Sequence, residues 1–168
     1  MTGGSTPASP SSRAAPDSAY IAALWEYPTL CLAFFGVQLL TPEGQALYEA
    51  SGISDAMRAS LRDAPGLLCT RYAATPEGPV LMQYWDDYEH LHAWARVAPH
   101  TQWWKWLMDH RGKGVGFYHE VYTLRGAEAI YETGTQPVGP ATFCRLEAVR
   151  SGEGRSRERL DQFRGTGE

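Results

Sequence analysis

The order of apolar segments along the chain predicts an α+β protein of ferredoxin-like arrangement, β-α-β-β-α-β, and three observations carry that reading. A strand-length apolar run, "CLAFFGVQLL", leads directly into a helix-start signal. Two strand-like segments, "LLCTRYA" and "VLMQYW", are separated only by the Pro/Gly turn "ATPEGP". An amphipathic stretch beginning "DDYEHLHAWARV" then runs out at paired glycines before a last strand, "VGFYHEVYTL".

The first strand covers Cys31–Leu40, rich in Phe and Leu and apolar on both parities. Thr41 caps the helix that follows, with Pro42 at its first position and Glu43 at its positive end. A break near Ser51–Gly52 divides it, and a second part through Met57 and Leu61 stops at Ala64-Pro65-Gly66. After the hairpin, Asp86 with Glu89 three residues on reads as a capping box, and Leu91, Trp94 and Ala95 form an apolar stripe. Pro99 interrupts that helix, a further piece runs from about His100 to His110, and Gly112 and Gly114 end it.

At 168 residues the chain holds one ordinary domain. The stretches 1–20 and 148–168 are poor in apolar side chains and are expected to be flexible tails around a domain at 21–147. A net charge of −4, with alternating signs in the Arg-rich C-terminal stretch, argues against a nucleic-acid surface. No apolar run reaches the ~20 residues of a membrane helix, and the N-terminus lacks the apolar core of a signal peptide. Cys31, Cys69 and Cys144 show neither zinc spacing nor a CxxC pair, which suits free thiols of a reducing cytoplasm.

Strand parity adds a partner. Val115, Phe117, His119 and Val121 share one face of the last strand, and Tyr118, Glu120, Tyr122 and Leu124 share the other. In the hairpin, Val80, Met82 and Tyr84 oppose Leu81, Gln83 and Trp85. Neither face reads as solvated, so the face that the helices leave bare is expected to meet a second copy, giving a homodimer with a barrel-like interior.

Candidate chemistry concentrates in "PHTQWWKWLMDHRGKGVGFYHEVYTL". His100, Trp103, Trp104 and Leu107 fall at i, i+3, i+4 and i+7, on one helix face. His119 sits mid-strand among apolar residues, either as a general base in an apolar pocket or as a core histidine satisfied by a neighbour. Glu120 points the other way and needs a partner if buried, for which Arg71 is a candidate. The tryptophans read as core with one face on a flat, apolar ligand wall. His90, His92 and His110 read as solvated side chains. No phosphate loop, nucleophile elbow or metalloprotease helix motif occurs.

The segments "MQYWDDYEHLHAWA", "PHTQWWKW" and "GVGFYHEVYTL" together resemble the ABM-type (antibiotic biosynthesis) monooxygenases, in the group typed by the fumagillin-pathway enzyme. The matching positions are Tyr84-Trp85, Leu91, Ala95, His100, Trp104, Gly116, His119, Glu120 and Tyr122, with Gly36 and "AEAIYE" extending the likeness over about Leu30 to Phe143. The resemblance implies a dimeric α+β barrel and an oxygenase that uses O2 without metal or flavin, the substrate supplying the electrons. On this reading His119 is the base or proton donor and Tyr84 its hydrogen-bond partner. Trp85, His100, Trp103, Trp104 and Phe117 shape the pocket, and Glu120 and Tyr122 frame it. The expected ligands are O2 and a small apolar secondary metabolite, polyketide- or terpenoid-like, with no cofactor. Two alternatives stay open: a haem enzyme with His100 or His119 as axial ligand, and a non-catalytic binding protein with the same pocket.

Overall fold

The computed structural model describes residues 19–149 and 156–164. At its centre is an antiparallel sheet of β2 (Cys31–Leu39), β3 (Leu67–Thr75), β4 (Gly78–Trp85) and β5 (Val115–Thr123), in the order β3-β4-β2-β5. Helices α1 (Pro42–Ala50) and α2 (Ile53–Leu61) join β2 to β3, and α3 (Tyr88–Ala95) and α4 (His100–Asp109) join β4 to β5. This is the ferredoxin-like α+β arrangement expected from the sequence, each expected helix being a pair of short ones.

The helix starts follow from local chemistry. The Thr41 hydroxyl accepts from the Gly44 N–H at 3.1 Å, with Pro42 in the first turn. Gly52, at φ 66°, makes the left-handed step that separates α1 from α2. The cap of α3 is Asp87 rather than the expected Asp86. Asp87 holds the extended conformation of a cap, and its carboxylate accepts from the His90 N–H at 2.8 Å.

The four helices cover one face of the sheet. Ala33, Phe35, Val37, Leu81, Trp85 and Val115 from the strands pack there against Tyr48, Ile53, Met57, Leu61, Leu91, Trp103 and Leu107. Trp85 and Cys31 are fully buried. On the opposite face Gly36 is a packing requirement, since the Tyr118 ring lies where a Cβ at position 36 would stand.

That opposite face differs from expectation, because the chain covers part of it with its own ends. A second sheet, in the order β6-β1-β7, is made of β1 (Tyr20–Ala22), β6 (Ile130–Tyr131) and β7 (Leu146–Ala148), short strands absent from the sequence reading. Leu24, Leu30, Cys144 and Phe163 pack with Leu32, Leu68 and Leu124 beneath it. The expected N-terminal tail lies outside the described residues except for Ala19 and Tyr20. The expected C-terminal tail is corrected over Ser156–Arg164, which form helix α5. Phe163 of α5 is buried, and Arg159 meets the Glu128 carboxylate at 2.5 Å. The stretch is strongly polar by composition, so its few buried anchors gave too weak a periodic signal.

Candidate active site

A cavity of about 190 Å³ lies between the sheet and the paired helices α3 and α4. Its floor is Phe35, Gln83, His119 and Val121 from β2, β4 and β5, and its roof is Leu91, Trp94, Ala95 and His100. Strand register explains the floor. Phe35 pairs with both Leu81 and His119, and Ala33 pairs with both Gln83 and Val121, so these residues project to the helix side in two adjacent rows. Exposed Tyr88, His92 and Val121 rim the mouth, where the ring of Tyr88 stacks on His92 at 5.7 Å.

Both expected histidines face this cavity. Desolvation holds the pKa of His100 below the ordinary 6.5, the Ala95 backbone carbonyl partly opposes that shift, and the nearby His119 adds to it. His119 stands at the mouth, exposed on its open side, with Phe35 6.3 Å away centroid to centroid. Desolvation on its inner side pushes its pKa below 6.5 as well. Among the described residues it has no hydrogen-bond partner. Both imidazoles are therefore neutral at pH 7, and His119 is free to accept a proton.

Tyr84 does not join His119. It pairs with Leu32, in the row of Tyr122, and projects from the other face. There its ring lies 5.9 Å from that of Phe143. Alternation along β4 settles this, and what the sequence could not supply was which parity of β4 matches which parity of β5. Glu120 and Tyr122 also lie on the second face, where the Tyr122 hydroxyl donates to Glu120 Oε2 at 2.9 Å. Arg71 is not on a neighbouring strand to Glu120. The two occupy one lateral row, Arg71–Met82–Phe34–Glu120, at opposite edges of the sheet.

The expected pocket aromatics divide. Trp85 and Trp103 are buried in the core beside the cavity, touching it through Trp94, whose ring lies 5.5 Å from Trp85, 6.3 Å from Trp103 and 4.9 Å from His100. Trp104 is 43% exposed and packs edge-on against Phe117 at 5.1 Å, away from the cavity, while Phe117 stacks on Phe35 from behind. The sequence reading missed Trp94 and Phe35 as lining residues, while His92, expected in solvent, is exposed at the rim. It also passed over Gln83, a 3% exposed amide on an otherwise apolar strand face. A polar residue at a buried parity position is the signal that could have found it.

The remaining reactive groups lie elsewhere. Cys31, Cys69 and Cys144 are free, and burial pushes the Cys144 thiol up to about 12, which leaves it inert. Asp86, Asp87 and His90 cluster closely enough to hold a metal ion, but Asp87 and His90 are spent on the α3 cap and on each other. As for haem, neutral His100 and His119 have the right donor chemistry. The space does not fit: 190 Å³ lies below the ~300–1,000 Å³ of ordinary ligand pockets and leaves no room for a macrocycle.

Fold and cavity together define a ferredoxin-like α+β protein with an apolar, imidazole-bearing pocket between sheet and helices. The chain belongs to the family described as Monooxygenase af470-like, whose pattern it matches over residues 38–139. No curated protein sequence matches it. Among solved structures, it is similar to an aldoxime dehydratase (OxdRE) in complex with butyraldoxime, at 17% identity and TM-score 0.64, covering 90% of this chain and 44% of that one. A second aldoxime dehydratase is 21% identical at TM-score 0.61, over 94% of this chain and 47% of that one. The chain thus spans less than half the length of these dehydratases, and the likeness is one of fold. SnoaB, a cofactor-independent oxygenase from Streptomyces nogalater, aligns at 13% identity and TM-score 0.45, over 59% of this chain and 96% of that one. The family match agrees with the resemblance to monooxygenases seen in the sequence. Among the described residues, no helix is long and apolar enough to cross a membrane.

Proposed function

We propose that the protein is a small cytoplasmic monooxygenase that oxidises an enolisable, largely apolar metabolite with O2, using His119 as the base and no cofactor. The observation that carries this reading is a neutral, unpartnered imidazole at the mouth of an apolar cavity, in a chain of a monooxygenase family. His119 takes a proton from an activated CH2, leaving a carbanion delocalised onto a conjugated carbonyl. Electron transfer to O2, recombination and return of the proton give a carbon hydroperoxide. Loss of the second C–H proton with O–O cleavage then yields the ketone and water, so that CH2 and O2 become C=O and H2O. The substrate's two C–H bonds supply all four electrons that O2 takes up, and the protein supplies a base, orientation and a dry surround. His100 and Trp94 wall the cavity. Its size suits about one ring of a substrate, with a larger polyketide or terpenoid body leaving past Tyr88 and His92.

The proposal includes a homodimer formed by the uncovered half of the second sheet face, where Phe34, Met82, Val80 and Tyr118 are half-buried. A two-fold axis parallel to the strands would set Arg71 of each subunit opposite Glu120 of the other, whereas an axis across the strands would oppose like charges. Charge complementarity along this row supports the first arrangement.

The test is oxygen uptake by purified, metal-stripped protein with a panel of enolisable aromatic ketones. Uptake by a colourless protein, abolished in His119→Ala, is the expected result. Uptake that requires added haemin, with a Soret band lost on substituting His100, would replace this reading with the haem one. Tight ligand binding with no uptake would leave a carrier.

A further inference from the structure

Gln83 is the one polar side chain in the buried floor of the cavity, at 3% exposure. Its amide orientation is fixed by chemistry. The Trp85 indole is a donor only, and its Nε1–H points at Gln83 Oε1 at 2.8 Å. The oxygen must therefore face Trp85, and the NH2 faces away from it. No acceptor among the described residues meets that Nε2, yet no buried side-chain nitrogen or oxygen is left sealed without a partner, so the Nε2 opens to the cavity. An apolar pocket with one pre-oriented amide donor in its floor is built for a ligand oxygen that accepts.

We infer that Gln83 recognises the substrate's carbonyl oxygen and stabilises the enolate that His119 generates. This rests on the proposed monooxygenase reading and names the substrate's polarity within it. The placement suits that division of labour. Gln83 lies on β4 and His119 on β5, flanking β2 and offset by one row on the same face, which puts their Cα positions about 12 Å apart at ordinary strand spacing. Between them on β2 stand Ala33, which is buried, and Phe35, whose ring lines the floor. A single conjugated ring lying on Phe35 would set its carbonyl against Gln83 and its acidic CH2 toward His119. As charge moves from carbon to oxygen, the hydrogen bond from Nε2 strengthens, so its effect falls on the transition state more than on binding.

The test uses two probes of nearly equal shape, acetophenone and ethylbenzene, titrated against the full-length protein by calorimetry. Wild type should bind acetophenone about tenfold more tightly, as one buried hydrogen bond implies. Gln83→Glu keeps an acceptor for Trp85 and, measured at a pH where its carboxyl is ionised, has no donor, and Gln83→Met removes both. Each should abolish the preference while leaving ethylbenzene affinity within about twofold. Thermal unfolding of the two variants separates a lost contact from a lost fold, since Q83E retains the Trp85 bond. An unchanged preference in both variants, or ethylbenzene bound as tightly as acetophenone by wild type, overturns the assignment of Gln83 alone. Failure of both probes to bind overturns the cavity reading and this inference together.

Discussion

The two faces of the central sheet are both apolar, but they are closed differently. The helix-covered face is sealed by α1 to α4 except where β5 runs out from under α4, and the gap left there is the cavity with His100, His119 and Gln83. The other face carries as many aromatic and ionisable groups, including Tyr84, Glu120 and Tyr122, yet they are spent on packing, on each other or on the surface. Chemistry-bearing residues become a site only where register gathers them around an unfilled volume.

The sharpest way to break this comparison is to remove one hydroxyl or imidazole from each face. His119→Ala should lower turnover by ~10²- to 10⁴-fold, the usual range for a general base, with acetophenone affinity kept. Tyr84→Phe should leave turnover within about twofold, and an equal loss would place Tyr84 in the reaction. A charge on the second face should act on assembly. Phe34→Asp should halve the mass measured by light scattering, and Arg71→Glu should weaken the dimer until Glu120→Arg restores it. A monomeric wild type would remove the dimer from the account.

A smaller effect concerns pH. The folded-state pKa values of His100 and His119 lie below the ordinary 6.5, so the unfolded chain binds protons more readily in the interval between. The stability linked to the neutral imidazoles is therefore complete above 6.5 and is lost as pH falls below it toward the folded values. Turnover should hold at pH 6.5 and fall only at lower pH, and an acid limb centred above 6.5 would contradict the desolvation of His119. The smallest expected effect belongs to Tyr122→Phe. It removes an exposed hydrogen bond to Glu120 and should shift stability by under ~0.5 kcal/mol, measured by urea unfolding.

Much of this was legible in the residues. The apolar runs and the cap at Thr41 gave the ferredoxin-like order, and alternation along β5 put His119 and Glu120 on opposite faces before any coordinates. What alternation cannot give is register between strands. Tyr84 and Gln83 are adjacent, and only the pairing of β4 through β2 to β5 decides which of them shares a face with His119. Helix azimuth was the other gap. His100, Trp103 and Trp104 share a broad stripe, but turning it toward the sheet buries Trp103, points His100 at the cavity and leaves Trp104 on Phe117. The second sheet escaped notice because strands of two and three residues carry too little periodicity.

The central claim is that a ligand lies on the helix-covered face of the sheet. The direct measurement is of intermolecular nuclear Overhauser effects between acetophenone and methyl-labelled protein, because neighbouring residues of the strands report opposite faces. Contacts to the methyls of Leu91, Ala95 and Val121 are the predicted result. Contacts instead to Leu32, Val80 and Leu124 would place the ligand on the other face, with Tyr84, and would contradict the account.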